Sequence, residues 1–460
     1  IEQIDKQLKP LLWYTITGEL IHSSTEFGGM DSQLSVDSFI SIESITESYN
    51  QMQFTPRVLA YDIETDDISI GKGQILMISL VGQDYKKVLT WKKKSTISYV
   101  EYYSNEKEML EAFVHNVTHY EPDILVGYFS DGFDLPYLRS RAEKNKISLS
   151  LGVDGSQPTF SRGRLMTGSI KGIVHIDLLR FIRVVYSQYL QSETLSLHEV
   201  VNELLGEKKK EWDHSTNSNV TDEKWDDFFS YALHDSVLTF SLAMKLWTDM
   251  IGFVHIIQEP LFDITRDSMS NHVENYIMHH IQEYNEIIEK RPIHRDIGER
   301  RNEEKYEGGF VFQPTPGLYE HVVFFDFKSM YGSVIVTYNL SKSTLSHKKI
   351  IDGWEVDLEK KKVYFVKKKG FFASMLEDII IKRKEAKKKL IDHPDQILKA
   401  RSNALKLLAN ASYGYQGFFG ARYYCREAAA SAAALARKKI QETISFIEKK
   451  YFKVIYSDTD

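Results

Sequence analysis

Carboxylates stand at the tips of apolar runs toward both extremes of this 460-residue chain, and that placement constrains the fold more than any other feature. Toward the front, RVLAYDIET carries Asp62 and Glu64 at the end of a strand-like run. Toward the back, VVFFDF delivers Asp326, and FKVIYS is followed by Asp458 and Asp460. Strands this apolar need cover on both faces, so each set belongs to a layered core. At 460 residues the chain has room for several cores, since a single one rarely grows past about 250–300 residues.

The periodicity between those points divides the chain. Residues 1–55 read as mixed strand and loop, too short for an obvious core of their own. Residues 56–261 alternate between strand and helix: RVLAYDIET and ILMISLVG as strands, EKEMLEAFVHNVTHYEPDILVGY as an amphipathic helix running into a buried strand, then HIDLLRFI and LHEVVNELLG. WDDFFSYALHDSVLTFSLAMKLW is a long helix, and residues 262–289 are helical. YEGGF breaks the chain with two glycines. VVFFDF reads as a strand buried on both faces. Residues 375–391 and 396–412 are two helices joined by the turn DHPD, an αα-hairpin. An alanine-rich helix fills roughly 426–449 before the strand FKVIYS.

Asp62 and Glu64 stand two residues apart on a strand and so share a face. Asp134 lies in GYFSDGFDLPYL, just past the apolar run ILVGY, and Asp235 lies in YALHDSV with Tyr231 one helical turn earlier. Four acids and a tyrosine from separate elements of one layer suit two divalent cations about 3.5–4 Å apart. One cation would activate water, the other would stabilise a leaving 3′ oxygen, and Tyr231 would orient the water. An acidic pair after a strand also serves as a turn or helix cap, so the order and spacing of all the members carry the reading, not DIET alone.

The second set has the same logic. Two apolar strands, one ending in Asp326 and one in Asp458 and Asp460, suit a shared pair of Mg²⁺ ions that clamp a 3′-hydroxyl and a triphosphate in line. On the intervening hairpin, Arg383 and Lys387 share one helical face, as do Lys406 and Asn410. Arg and Lys there can grip triphosphate oxygens. Tyr413 and Gly414 close the second helix, where a small residue lets a base pair approach. A basic helix is also an ordinary solvated face; Lys406 differs because it interrupts the apolar LKLLANASYGY.

Net charge is −6, which by itself speaks weakly against nucleic acid, but KRKEAKKK at 382–389 and KKK at 367–369 concentrate positive charge locally. The single cysteine, Cys425, excludes a disulfide framework and a thiolate zinc site. No apolar run approaches the about 18 residues of a membrane helix, and the opening IEQIDKQLKP has no signal-peptide character.

Assembled, these motifs resemble family B DNA polymerases, most closely the archaeal replicative type, from residue 56 to 460. YDIET, GYFSDGFDLPYL and YALHD look like the three exonuclease motifs. Tyr306 to Gly309 (YEGG) resembles the linker motif, and DFKSMYGSVI, KLLANASYG and YSDTD look like the three polymerase motifs. The resemblance implies an α/β multidomain fold: a ribonuclease-H-like 3′–5′ exonuclease domain at 56–261, a helical return to the N-terminal domain at 262–289, palm at 290–370 and 421–460 as an antiparallel sheet with helices, and helical-hairpin fingers at 371–420. It implies two Mg²⁺ at each site, with Mn²⁺ able to serve instead. The partners would be primer–template DNA, deoxynucleoside triphosphates and a sliding clamp, in the nucleoid-associated cytoplasm. Tyr331, five residues after Asp326, matches the family's tyrosine beneath the incoming sugar; a core aromatic is the alternative there.

Phe129 stands where the family has Asn, and Gly332 where it has Pro. By family standards the chain lacks part of the N-terminal domain and the thumb, so a further segment or a second subunit is expected to complete it. The alternatives are an exonuclease-active or structural subunit with an inactive polymerase half, a non-catalytic DNA-binding protein, and a protein-primed polymerase. The retained acids argue against the first two, and the short stretch from Asp326 to Lys406 against the last.

Overall fold

The computed structural model describes residues 8–21, 39–48, 55–163, 166–210, 212–214, 217, 220–358 and 361–458. The chain divides into two compact units: Ile1–Ile251 with Pro260–Arg266, and Gly252–Glu259 with Asp267–Asp460.

The first unit opens with an antiparallel pair, β1 (Tyr14–Leu20) and β2 (Ile40–Glu47). Its centre is a six-stranded sheet built from β3 (Val58–Thr65), β4 (Ile75–Gly82), β5 (Tyr85–Thr90), β6 (Val100–Tyr102), β7 (Ile124–Gly127) and β10 (Val174–Asp177), in the order β10-β7-β3-β4-β5-β6. A separate hairpin joins β8 (Thr159–Arg162) to β9 (Met166–Ser169). β3 is central, parallel to β7 and antiparallel to β4, which explains why VLAYDIET and ILMISLVG are apolar almost throughout: both faces are covered. On one face Tyr61, Ile63 and Ile78 pack against Met109 and Phe113 of α1 (Glu106–Tyr120) and Leu135 and Leu138 of α2 (Asp134–Asn145). The chain continues through α3 (Leu178–Val185) and α4 (Leu197–Leu205) into α5 (Trp225–Ile257). Trp225, Phe228 and Phe229 of α5 pack on Met77, Val81 and Val88, closing the other face.

Local chemistry sets the ends of these elements. Asn105 caps α1 by accepting from Glu108 N at 3.0 Å, and the Glu108 carboxylate returns to Ser104 N at 3.0 Å. Buried Glu106 pairs with Arg141 of α2 and accepts from Ile75 N at 2.9 Å, so one carboxylate ties α1, α2 and the start of β4.

The expectation of no membrane-length apolar stretch needs a correction: residues 222–257 form a helix with an 18-residue window of mean hydropathy 1.4. Its apolar positions are interrupted in sequence by polar ones such as Asp235 and Ser236, so no unbroken run announces it. Of that window, 44% is buried inside the chain.

In the second unit, α6 (Met269–His280) and α7 (Met330–Tyr338) precede a three-stranded antiparallel sheet of β11 (Leu345–Ser346), β12 (Trp354–Leu358) and β13 (Lys361–Phe365), with β13 in the middle. The hairpin follows as α8 (Phe371–Asp392) and α9 (Gln396–Gly417), the latter capped by Asp395 Oδ1, which accepts from Leu398 N at 2.9 Å. α10 (Arg426–Glu448) is the alanine-rich helix.

Two expectations fail here. Residues 322–327 form no strand and are not buried: Phe324 is 88% and Phe325 82% exposed. Residues 452–456 are also without strand pairing, and a single bridge, Phe312 to Ser457, is what FKVIYS contributes. The antiparallel sheet of this unit is instead β11-β13-β12, whose short, lysine-bearing strands gave no alternation long enough to read. An apolar run states a need for burial; whether a ladder partner meets it is a tertiary matter.

Candidate active site

Central strand β3 brings Asp62 and Glu64 to the same place as Asp235 of α5, and carboxylate oxygens of all three lie within 4.8 Å of one another. Glu64 and Asp235 are buried and Asp62 is half-buried. Asp134, the first residue of α2 and also buried, adjoins them: its Oδ1 accepts from Ile63 N at 3.2 Å, on the strand residue between Asp62 and Glu64. The four acids expected from sequence therefore do meet, three in one cluster and one beside it.

The loop that delivers Asp134 is pinned from beneath. At Gly127 a Cβ would stand 2.5 Å from Ser130 Cβ, so the absent side chain lets the loop fold back on β7. Asp177, at the end of β10, accepts from Phe129 N at 2.9 Å and Asp131 N at 3.1 Å. Asp131 in turn accepts from Arg180 at 2.9 Å, Arg266 at 3.0 Å and Gly168 N at 2.9 Å. Burial pushes the Asp131 carboxyl up, but the His175 hydrogen bond, the Arg266 charge and the Gly168 N–H outweigh it and hold the group well below the usual carboxylate range. Phe129 occupies left-handed backbone, φ 62°, a conformation Asn adopts more easily than a bulky aromatic. Its ring is 47% exposed, so the side chain is not what holds the turn; the Asp177 carboxylate is.

Packing four acids together in a low-dielectric core is costly unless charge is neutralised. Burial first, then repulsion from Asp134, Glu64 and Asp235, pushes Asp62 well up. Burial and Asp235 raise Glu64 to about 8 against the opposing pull of Lys209. Burial raises Asp134 to about 7. Tyr231 is likewise held protonated, by burial and then by Asp235 and Glu64.

Asp235 shows what the cluster lacks. Its Oδ2 takes the Lys209 ammonium at 2.6 Å, while its Oδ1 is buried with no hydrogen-bond partner. A carboxylate with one orphaned oxygen, clustered with two further carboxylates, fits a hard divalent cation, which prefers oxygen ligands.

Sequence reasoning missed the segment that covers this cluster. Lys209 lies over the Tyr231 ring at 5.0 Å. His214 reaches Tyr231 OH at 3.2 Å with Nε2 and Glu64 Oε2 at 3.8 Å with Nδ1. Asn217 Nδ2 donates to Thr65 O at 3.1 Å and reaches Glu64 Oε2 at 3.4 Å. Lys209, His214 and Tyr231, with His198, Lys210, Trp212 and Asp213, line an open cavity of about 540 Å³. KKKEWDHSTN has neither helical nor strand periodicity, and a lysine run reads as solvated surface, so no local signal marked it.

The second acid set is placed differently. Asp326 and Asp458 are both exposed, Asp458 accepting from Tyr456 OH at 3.0 Å, and neither joins a cluster of three acids among the described residues. Asp460 lies outside the described residues. The cations do assemble: Lys387 of α8 is lowered first by the charge of Arg383, then by burial and by Lys328 and Lys406. Lys328 was not anticipated. Arg383 Nε is buried with no hydrogen-bond partner, a donor available to an anion.

Tyr331 stacks on Tyr413 with centroids 4.0 Å apart and planes 6° from parallel, and Tyr413 hydrogen-bonds Tyr306 of YEGG. Tyr331 also touches the apolar cluster of Met330, Ala436 and Ile440, so it is half core, half surface. The YEGG backbone is held by Arg437, whose Nη1 donates to Glu307 O and Gly308 O at 2.6 Å each. Asn410 is exposed, and a Cβ on Gly414 would meet nothing within 4 Å, which leaves that end of α9 open. Gly332, where the family has proline, sits inside α7, and a Cβ there would meet Ile380 Cδ1 at an ordinary 3.5 Å.

Comparison with known proteins adds to this geometry. Residues 3–200 match the family DNA polymerase family B, exonuclease domain, and residues 260–460 match DNA polymerase family B. The chain is 36% identical to a DNA polymerase of Pyrococcus glycovorans over 415 residues, which is 88% of this chain and 53% of that protein. It is 34% identical to a DNA polymerase of Thermococcus gorgonarius over 415 residues, again 88% and 53%. The chain thus spans about half the length of the curated relatives it matches. A solved structure, the family B DNA polymerase from the hyperthermophilic archaeon Pyrobaculum calidifontis, superposes with a TM-score of 0.81 over 100% of this chain and 58% of that one. At 24% identity that likeness speaks to the fold.

Proposed function

The chain belongs to DNA polymerase family B, and from that premise we propose that it takes part in template-directed DNA synthesis and removes mispaired primer ends by 3′–5′ hydrolysis. The observation that carries the proofreading half is the convergence of Asp62, Glu64 and Asp235, with Asp235 Oδ1 left without a partner. Two divalent cations at each site, Mg²⁺ or in its place Mn²⁺, would supply an activated water at one and a clamp on triphosphate oxygens at the other. Asp62, Glu64, Asp134 and Asp235 would hold them at the first site, and Asp326, Asp458 and Asp460 at the second.

The chain's own residues have separate tasks. Tyr231 stays protonated and orients water against the scissile phosphate. Lys209 holds Asp235 by one oxygen and presents positive charge to the cavity where a 3′ end enters. In the second unit, Arg383, Lys387 and Lys406 receive the triphosphate, with Asn410 and Gly414 flanking the base pair. Tyr331, backed by Tyr413, limits the space beneath the incoming sugar. A clash there is how a site refuses a 2′-hydroxyl.

The partners are primer–template DNA, deoxynucleoside triphosphates and a sliding clamp, in the nucleoid-associated cytoplasm. A further segment or a second polypeptide covers residues 322–327 and 452–456. One observation favours a second reading, a subunit that proofreads but does not polymerise: Asp326 and Asp458 are exposed, on segments without strand pairing. A mismatched primer–template with Mg²⁺ separates the two. The first reading expects shortening, followed by extension when deoxynucleotides are added, with Asp326→Ala abolishing extension alone. Shortening without extension, in the longest protein that its gene encodes and with any complementing subunit present, selects the second.

A further inference from the structure

Tyr231 has two hydrogen-bond partners within reach. One is the Asp235 carboxylate, and the other is His214 Nε2, 3.2 Å from the phenolic oxygen. The imidazole stands edge-on to the tyrosine, centroids 5.6 Å apart and planes at 76°. Its far nitrogen, Nδ1, lies 3.8 Å from Glu64 Oε2, so the ring bridges the tyrosine and an acid of the cluster. Asp235 has other claims on it: Lys209 holds Oδ2, and the carboxylate belongs to the cluster with Asp62 and Glu64.

A tyrosine that orients an attacking water does so best as an acceptor, with its oxygen lone pairs turned to the water and its own proton given elsewhere. Once Asp235 commits its oxygens to a cation, His214 Nε2 is the acceptor that remains among the described partners of Tyr231. We infer that His214 is a positioning residue of the hydrolytic site: it takes the Tyr231 proton in a hydrogen bond and so points the phenolic lone pairs at water. This rests on the exonuclease reading above and deepens it. Nothing in EWDHSTN announced it, because its partner lies 17 residues away on α5.

Two measurements test it on the 460-residue chain. The first is hydrolysis of a single-stranded oligonucleotide from its 3′ end with Mg²⁺. His214→Ala should lower kcat about tenfold, the rate equivalent of one lost hydrogen bond, and change KM less than about twofold. His214→Gln, whose amide oxygen can accept, should recover most of the rate. In a Tyr231→Phe background the His214→Ala loss should vanish, because there is no proton left to place. The second is independent of activity: the ¹⁵N signal of His214 Nε2, identified by its loss in His214→Gln, should move in Tyr231→Phe, and move again when Mg²⁺ is added to the wild type. An unchanged kcat in His214→Ala, or an equal loss with and without the tyrosine hydroxyl, overturns the inference. If the wild type is no more active than Asp62→Ala, the exonuclease reading itself is wrong. The nitrogen signal then decides the contact alone, and a signal indifferent to Tyr231→Phe overturns the inference.

Discussion

Asp62, Glu64 and Asp235 are held by a strand paired on both sides and a 33-residue helix packed across it, whereas Asp326 and Asp458 stand exposed on segments without strand pairing. The two acid sets look alike in sequence. The first sits in a core where Ile78 is fully buried; the second follows or precedes side chains such as Phe324, 88% exposed. A carboxylate on a rigid, covered element has its charge destabilised in advance, and a cation relieves that strain when it binds. A carboxylate in the open stays solvated and has little to gain. The basic residues assigned to the second site are together already: Arg383 and Lys406, across α8 and α9, lie near enough to Lys387 for their charges to act on it.

The largest expected effect breaks the comparison if it fails. Replacing both Asp62 and Glu64 by Ala should cut 3′-end hydrolysis by about 10⁴-fold or more, the scale for dismantling a unit that acts together. The same change should leave duplex binding by the second unit within about twofold. Equal damage to both, seen by gel shift alongside the nuclease assay, would mean that the two acid sets are not independent.

Next in size is the response to pH. Glu64 titrates near 8 and Asp134 near 7, both raised mainly by burial. A carboxyl whose folded pKa lies above its unfolded value binds its proton more tightly when folded. These groups therefore cost nothing below about pH 4, and they destabilise the cation-free chain progressively as the pH climbs from there to about 8. Millimolar Mg²⁺ should accordingly raise the first unit's unfolding midpoint by roughly 2–4 °C at about pH 8 and by less at about pH 6. Scanning calorimetry with and without chelator reads this, and a larger shift at the lower pH contradicts the preorganised site.

The smallest effect sharpens the contrast in packing. Ile78→Ala removes side-chain volume from a sheet covered on both faces and should cost about 2–5 kcal/mol in denaturant unfolding of the first unit. In the 460-residue chain by itself, without any covering segment, Phe324→Ser should stay within about 0.5 kcal/mol for the second unit, since an exposed ring loses little. A cost above about 1.5 kcal/mol at Phe324 would mean that this ring is covered in solution.

The sequence by itself determined the pieces that depend on local pattern. The apolar runs of β3 and β4, the amphipathic α1, the turn DHPD between α8 and α9, and the i, i+2 and i, i+4 spacings that put Asp62 beside Glu64 and Tyr231 beside Asp235 all follow from backbone periodicity. Tertiary structure alone decided the rest. Lys209, His214 and Asn217 come from an irregular stretch whose side chains acquire partners from β3 and α5. Residues 322–327 have the composition of a buried strand and are not one, because an apolar residue states a preference for cover while the chain around it decides whether cover is there.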